Sequence, residues 1–347
     1  DDYATIQAAI NAASDRDTVK VASGTYIEII DLSGKSIILI GEDRNTTIID
    51  ANQQGPGVRF DNPNAQNSSS SISGFTIKNA YRNGDGGGIY VYYGDLVMSD
   101  LIIENNEAVS DEGGGISIEN SNGSSISRSL IKNNLSRSRG GGVNIGYSNI
   151  SISNTIITGN QIYPTSSGSG ASGAGIHIDH SSVVTLTNVE ITKNKAYDQG
   201  GGLFLYDNAV VYLNNCTVAQ NSAVPDPDIP YGNTLGGNGG AYAAYNNSSV
   251  VMHNTIIWGN PSENNQQMSS NSGSTLEITF SNIEGLPSAY TGNGNIDLDP
   301  LFVDPDNDEF TLQSSSPCID AGDPLSDNDD DGSVADMGAY PFVVQDE

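Results

Sequence analysis

Apolar and polar residues alternate over short stretches of this chain, and the stretches recur. After a glycine corner, apolar side chains occupy the first and third positions of GGGIYV (86–91), GGGISI (113–118), GGGVNI (140–145), GAGIHI (173–178), GGGLFL (200–205) and the looser GGAYAA (239–244). A period of two over so few residues predicts strands with one buried face. The leading apolar residues Ile89, Ile116, Val143, Ile176 and Leu203 are 27, 27, 33 and 27 residues apart.

A second pattern runs in phase with the first. LIIENN, SLIKNN, TIITGN, VEITKN, CTVAQN and TIIWGN end on Asn106, Asn134, Asn160, Asn194, Asn221 and Asn260, and a further strand recurs upstream as DLVMSD, NISISN, VVTLTN, VVYLNN and VVMHN. Repeats of this size without a helical period predict a solenoid of about nine or ten coils, three short strands to each. Stacking then brings like residues together. Each Asn amide both donates and accepts, so a column of them satisfies turn backbone from coil to coil. The glycines fit turns with positive φ, and since none opens a helix they are not a phosphate cradle.

The ends read differently. Ile6, Ala9, Ile10 and Ala13 in TIQAAINAA (5–13) have helical spacing, with Thr5 placed to cap. A short helix here would cover the open end of the apolar column. The expected division is a β-helix with its helix cap over 1–285 and an irregular C-terminal capping segment of the same domain over 286–347.

These segments carry a resemblance. TIQAAINAASDRDTVKVASGTY resembles the N-terminal cap and first coil of right-handed parallel β-helix proteins of the pectate-lyase-like superfamily. FSNIEG (280–285), GNIDLDPLFVDPDNDEFTLQSSSPCIDAGD (294–323) and DGSVADMGAYPF (331–342) resemble the terminal segment of bacterial cell-surface β-helix proteins, of the choice-of-anchor or type IX-secreted kind. The resemblance implies an all-β right-handed parallel β-helix, secreted or displayed at a bacterial surface. For activity it implies a set that mixes polysaccharide lyases, glycoside hydrolases and proteins without an assigned reaction. The GGG-plus-Asn rhythm over 86–260 is also similar to the repeats of chlamydial polymorphic outer membrane proteins, which are adhesins.

Charge narrows the partners. The 347 residues hold 13 Lys plus Arg against 42 Asp plus Glu, a net charge of −29. That argues against nucleic acid and anionic membrane surfaces. An anionic glycan would be repelled unless calcium or a local basic patch intervened. No apolar run approaches the roughly 20 residues of a membrane span. The chain starts without Met and is expected to be a trimmed, mature segment acting as a monomer. Cys216 and Cys318 are expected to be free, buried thiols.

Candidate chemistry lies on the outward positions of the glycine strands. Tyr90 and Tyr92, then Glu119, then His177, Asp179 and His180, then Phe204, Tyr206 and Asp207, then Tyr245 form one face. Aromatics that stack on sugar rings, beside carboxylates that bond hydroxyls, suit a polysaccharide. The connections 161–172 and 222–238 are long, with a short one between, and would wall a recess centred on Asp179.

Two mechanisms are open. Glu119 and Asp179, two coils apart, would have backbones about 10 Å apart, near the spacing of an inverting hydrolase. A lyase would use His177 or His180 as base, Tyr206 as acid, and Lys193, Lys195 or calcium to neutralise a uronate. The alternative is a non-catalytic surface adhesin or stalk. Arg128, Arg137, Arg139 and Lys132 are expected to offset acids such as Asp111, Glu112 and Asp198, and His253 reads as an isolated surface histidine. In the acidic tail Asp327, Asp329 and Asp331 alternate, with Asp336 beyond, like the first half of a calcium loop. Calcium there would order the cap.

Overall fold

The computed structural model describes residues 3–62, 69–110, 112–163, 171–224, 237–271 and 273–342. Alternation of Ile, Val and Leu with polar residues produces strands too short to bury anything alone, and stacking resolves this. Every glycine strand pairs in parallel with its equivalents, giving a nine-stranded sheet from Ile30–Asp31 to Met268–Ser270. The chain is a right-handed parallel β-helix, the hand expected when a right-twisted strand crosses over to a parallel neighbour.

The register follows the repeat. Ile89, Ile116, Val143, Ile176 and Leu203 are mutually paired, and so are Val91, Ile118, Ile145, Ile178 and Leu205. All ten are buried in one apolar column with the inward residues of the other strands. The two further strands expected per coil both lie in an eighteen-stranded sheet, and in two coils they fuse into ten-residue strands, Asn149–Thr158 and Val183–Thr192. A six-stranded sheet of two-residue strands, such as Glu107–Ala108, follows the asparagine corner. Two residues carry no periodicity, so this third sheet leaves no mark in the sequence.

Two corners fix the register. In the triplet 113–115 the first glycine has φ +75°, and a Cβ there would lie 2.5 Å from the Ile116 carbonyl oxygen. At Gly115 a Cβ would fall 2.6 Å from the Gly142 carbonyl oxygen and 3.0 Å from the Asn134 amide nitrogen. Close approach of successive coils therefore demands glycine. At the opposite corner the asparagines form a buried ladder. Each amide from Asn106 to Asn221 donates to the next Asn side-chain oxygen over 2.9–3.0 Å, and Gln267 ends the ladder by accepting from Asn260.

The N-terminal end is closed as expected. The helix Ile6–Ala12 is capped by the Thr5 side chain and buries Ile6 and Ile10. Glu28 accepts the Ile6 and Gln7 amide hydrogens while the Lys35 ammonium donates to the Ile10, Asn11 and Ala13 carbonyls. An anion at the amino end and a cation at the carboxyl end both suit the helix dipole.

The C-terminal segment does two things. Leu286 and Tyr290 pack on the main core, and Ile296 bonds to Ser281, so this stretch closes the last coil. The chain then turns back along the flank of the eighteen-stranded sheet. Phe302, Phe310, Leu312, Cys318 and Met337 form a second apolar cluster with Ala219 and Ile256 of that sheet. His253 belongs to this junction and is not isolated: it lies 3.2 Å from the Ser326 hydroxyl and 3.6 Å from the Asp323 carboxylate. Both thiols are free and buried, and burial pushes Cys216 up to about 12.

Candidate functional site

One outward row of the nine-stranded sheet carries the chemistry. Pairing aligns Asp61, Tyr92, Glu119, Gly146 and Asp179, and Tyr206 and Tyr245 continue the row one residue past their strands. The adjoining row holds Arg59, Tyr90, Ser117, Asn144, His177 and Phe204. Beyond the strands comes a corner where Tyr93, Asn120, Tyr147, His180 and Asp207 all have positive φ. Asn, Asp and His are enriched in that backbone, whereas a tyrosine such as Tyr93 or Tyr147 is uncommon there.

Gly146 separates the two carboxylates. A Cβ on it would lie 3.1 Å from Asp179 Oδ1 and 3.7 Å from Glu119 Cγ. The two acids lean together over the missing side chain, closer than their backbones. Their environments differ. Burial pushes Glu119 up to about 7, helped by the negative charges of Asp85, Glu112 and Asp179. Burial also raises Asp179, but contact with His177 and the charges of His177, His180 and Arg139 outweigh it and hold the group below the usual carboxylate value. One acid is poised to be neutral while its neighbour stays ionised.

Three cationic or imidazole groups surround Asp179. His177 Nε2 and His180 Nε2 each lie 3.4 Å from Asp179 Oδ2, and Arg139 lies 3.8 Å away. His177 is only 1% exposed, stacks on Phe204 at 5.2 Å, and its Nε2 is not aligned for a hydrogen bond. It lies under the surface, beside Asp179. His180 is more open, with Nδ1 3.3 Å from Asp207 and the Tyr147 ring stacked on it at 4.3 Å. Next to this group a cleft of about 410 Å³ is lined by Arg139, Ser172, His177, Phe204, Tyr206 and Tyr245 among others.

The expected residues are distributed unevenly. Glu119, His177, His180 and, through His180, Asp207 gather about Asp179, while Phe204, Tyr206 and Tyr245 follow on the next coils and line the cleft with His177. Tyr90 is 9% exposed beneath the Arg82 guanidinium, which lies 3.9 Å from its ring, and Tyr92 stacks on it from outside at 6.0 Å. Lys193 and Lys195 are not at the site: Lys193 binds Asp308 of the C-terminal segment and Lys195 lies 4.8 Å over the Tyr197 ring. Both lie in or beside the short strand Lys195–Ala196 that follows the asparagine corner. The expected long walls fall largely at 164–170 and 225–236, outside the described residues.

The basic cluster offsets acids of the preceding coil. Arg128 pairs with Asp100, Lys132 with Glu104, Arg137 with Glu107 and Arg139 with Glu112. Among the acids expected for that role Glu112 is engaged, and Asp111 lies outside the described residues. Sequence reasoning set Arg139 among these structural pairs and missed its reach to Asp179. Its position just before a glycine corner, one coil below Asp179, was the available signal.

In the acidic tail the carboxylates bond to nearby backbone. Asp336 accepts the Asp320 and Phe342 amide hydrogens, Asp329 accepts from Asp336, and Asp331 accepts from Ser333. Asp327 joins none of these bonds, and among the described residues no three His, Cys, Asp or Glu side chains are arranged as metal ligands. The carboxylates do not fit a calcium cage as placed, and they brace turns instead.

The right-handed β-helix region model matches residues 17–282. The chain belongs to the right-handed β-helix family. A crystal structure of the pectate lyase Pel9A shares this architecture with a TM-score of 0.58 and 13% identity, over 96% of this chain and 90% of that one. A pectin methylesterase from Yersinia enterocolitica aligns with a TM-score of 0.32 and 13% identity over 86% and 94% of the two chains. A family PL6 polysaccharide lyase from Pseudopedobacter saltans gives 0.25 and 12% over 89% and 88%. No curated protein sequence matches the chain. No helix among the described residues is long and apolar enough to cross a membrane.

Proposed function

We propose that this β-helix binds an extracellular polysaccharide across its nine-stranded sheet and hydrolyses it between Glu119 and Asp179. The observation that carries the reading is the pair itself: two acids on one row, leaning together over Gly146 and driven toward opposite protonation states. Neutral Glu119 would give its proton to the glycosidic oxygen as the bond to the anomeric carbon breaks. Ionised Asp179 would take a proton from the water whose oxygen joins that carbon, and exchange with solvent resets both groups. Tyr147, Tyr206 and Tyr245 supply faces for sugar rings on either side. A lyase reading has less support, because Arg139, the cation beside the cleft that could neutralise a uronate, is already engaged by Glu112 and Asp179.

Release of reducing ends from a broad polysaccharide panel tests this, with Glu119→Gln and Asp179→Asn beside the wild type and circular dichroism to confirm folding. Each variant is expected to lower kcat by about a hundredfold or more. Equal turnover in all three removes the assignment. Binding without turnover in the wild type points to an adhesin.

A further inference from the structure

We infer that the glycan seated on this face carries neither carboxylate nor sulfate groups. The inference rests on the polysaccharide reading above and deepens it. Its basis is the state of three arginines among the described residues: Arg59 on one of the outward rows, and Arg82 and Arg139 close to the glycine corners that lead into them. Arg59 lies between Asp61 at 2.5 Å and Asp31 at 4.0 Å. Arg82 covers the Tyr90 ring and donates to the Asp85 carbonyl. Arg139 is divided between Glu112 at 2.8 Å and Asp179 at 3.8 Å. Each is already engaged by a protein oxygen, so a sugar carboxylate would have to compete for it.

The acids are not balanced in return. Glu119 has no basic side chain within ion-pair distance among the described residues, and Asp207 is met by His180 and by the Asn208 and Asn246 amides. Negative charge from Asp85, Glu112 and Asp179 already disfavours ionisation of Glu119. An anionic sugar unit would add to that repulsion. It would also bring acceptors to Glu119, Asp179 and Asp207, which when ionised only accept. Sugar hydroxyls reverse the match, since each can donate to Glu119, Asp179 or Asp207 while the ring lies against Tyr147 or Tyr206. Those two rings are among the more exposed aromatic side chains of the described residues, at 56% and 45%. The candidates are therefore neutral polymers, or amino-sugar polymers whose ammonium groups the acids would attract.

Affinity electrophoresis and titration calorimetry decide the matter. Xylan, mixed-linkage glucan, galactomannan and chitosan form one arm. Polygalacturonate, alginate and chondroitin sulfate form the other, each with and without added calcium at low salt. Binding to at least one polymer of the first arm is expected, weakened about tenfold by Tyr147→Ala or Tyr206→Ala in folded protein. A charged polymer of the second arm bound as tightly as any of the first overturns this inference and leaves the polysaccharide reading standing. Binding to none of them sinks the polysaccharide reading itself.

Discussion

Glu119 and Asp179 meet over Gly146, and the structure drives their protonation in opposite directions. The working form of the pair has Glu119 neutral. Activity should therefore fall as pH rises through about 7, the value to which burial and neighbouring acids push Glu119. A pH profile of kcat/KM that stays flat from 6 to 9 would falsify the acid role.

The same shift has a stability counterpart with a definite sign. Between the ordinary value of 4.5 and about 7 the folded protein holds the Glu119 proton more tightly than the unfolded chain does. Stability from this group is thus present at low pH and declines as pH rises across that window. Glu119→Gln should match the wild type near pH 4 and exceed it at pH 8. Urea midpoints at the two pH values check this, and a variant less stable at pH 8 would contradict it.

Gly146→Ala tests the gap directly. The backbone there is not left-handed, so alanine can adopt it, but its methyl group would press on Asp179 Oδ1 at 3.1 Å. Stability should change by less than about 1 kcal/mol, while turnover falls at least tenfold because the methyl fills the space between the acids. Unchanged turnover in a folded variant would show that the gap holds no reacting group.

Arg139→Gln removes one of the charges that keep Asp179 ionised. The acidic limb of the pH profile should then move upward, with kcat reduced several-fold. A structural role confined to pairing with Glu112 would lower the melting temperature and leave the profile in place.

Asn194→Ala tests the ladder. The Asn194 amide donates to Asn221 and to the Ile157 carbonyl, and its oxygen accepts from Asn160, all in the buried interior. Leaving these partners unmet should cost about 2–4 kcal/mol, read as a lower urea midpoint. A loss below 0.5 kcal/mol, a bound set by the usual scatter of surface substitutions, would mean that water replaces the amide.

Much of this was legible in the repeat. Ile89, Ile116, Val143, Ile176 and Leu203 announce the coil, and alternation about them places Glu119 and Asp179 on one row, because pairing between identical repeats leaves a single register. What escaped depends on contacts that no period encodes. Arg139 looks like a neighbour of Glu112 alone until the side chain is seen to reach the next coil. Gly146 reads as one more polar-face residue, although its lack of a side chain matters most. Gln267 replaces the next ladder asparagine, and its longer side chain comes from a corner outside the pattern. His253 meets Ser326 across 73 positions of chain, a distance at which sequence spacing says nothing about proximity.

The returning C-terminal segment changes how the coils would part under load. In a plain solenoid each coil is held only by its two neighbours, so the array can fray from either end. Here Lys193 is tied to Asp308, Thr217 to Ala339 and Asn254 to Gly338. Those three anchors sit on successive coils beginning with the one that carries Asp179. The segment is a splint on the eighteen-stranded side, and the stretch it stiffens begins with the coil of Asp179 and runs on through those of Tyr206 and Tyr245, leaving the coil of Glu119 held by its neighbours alone.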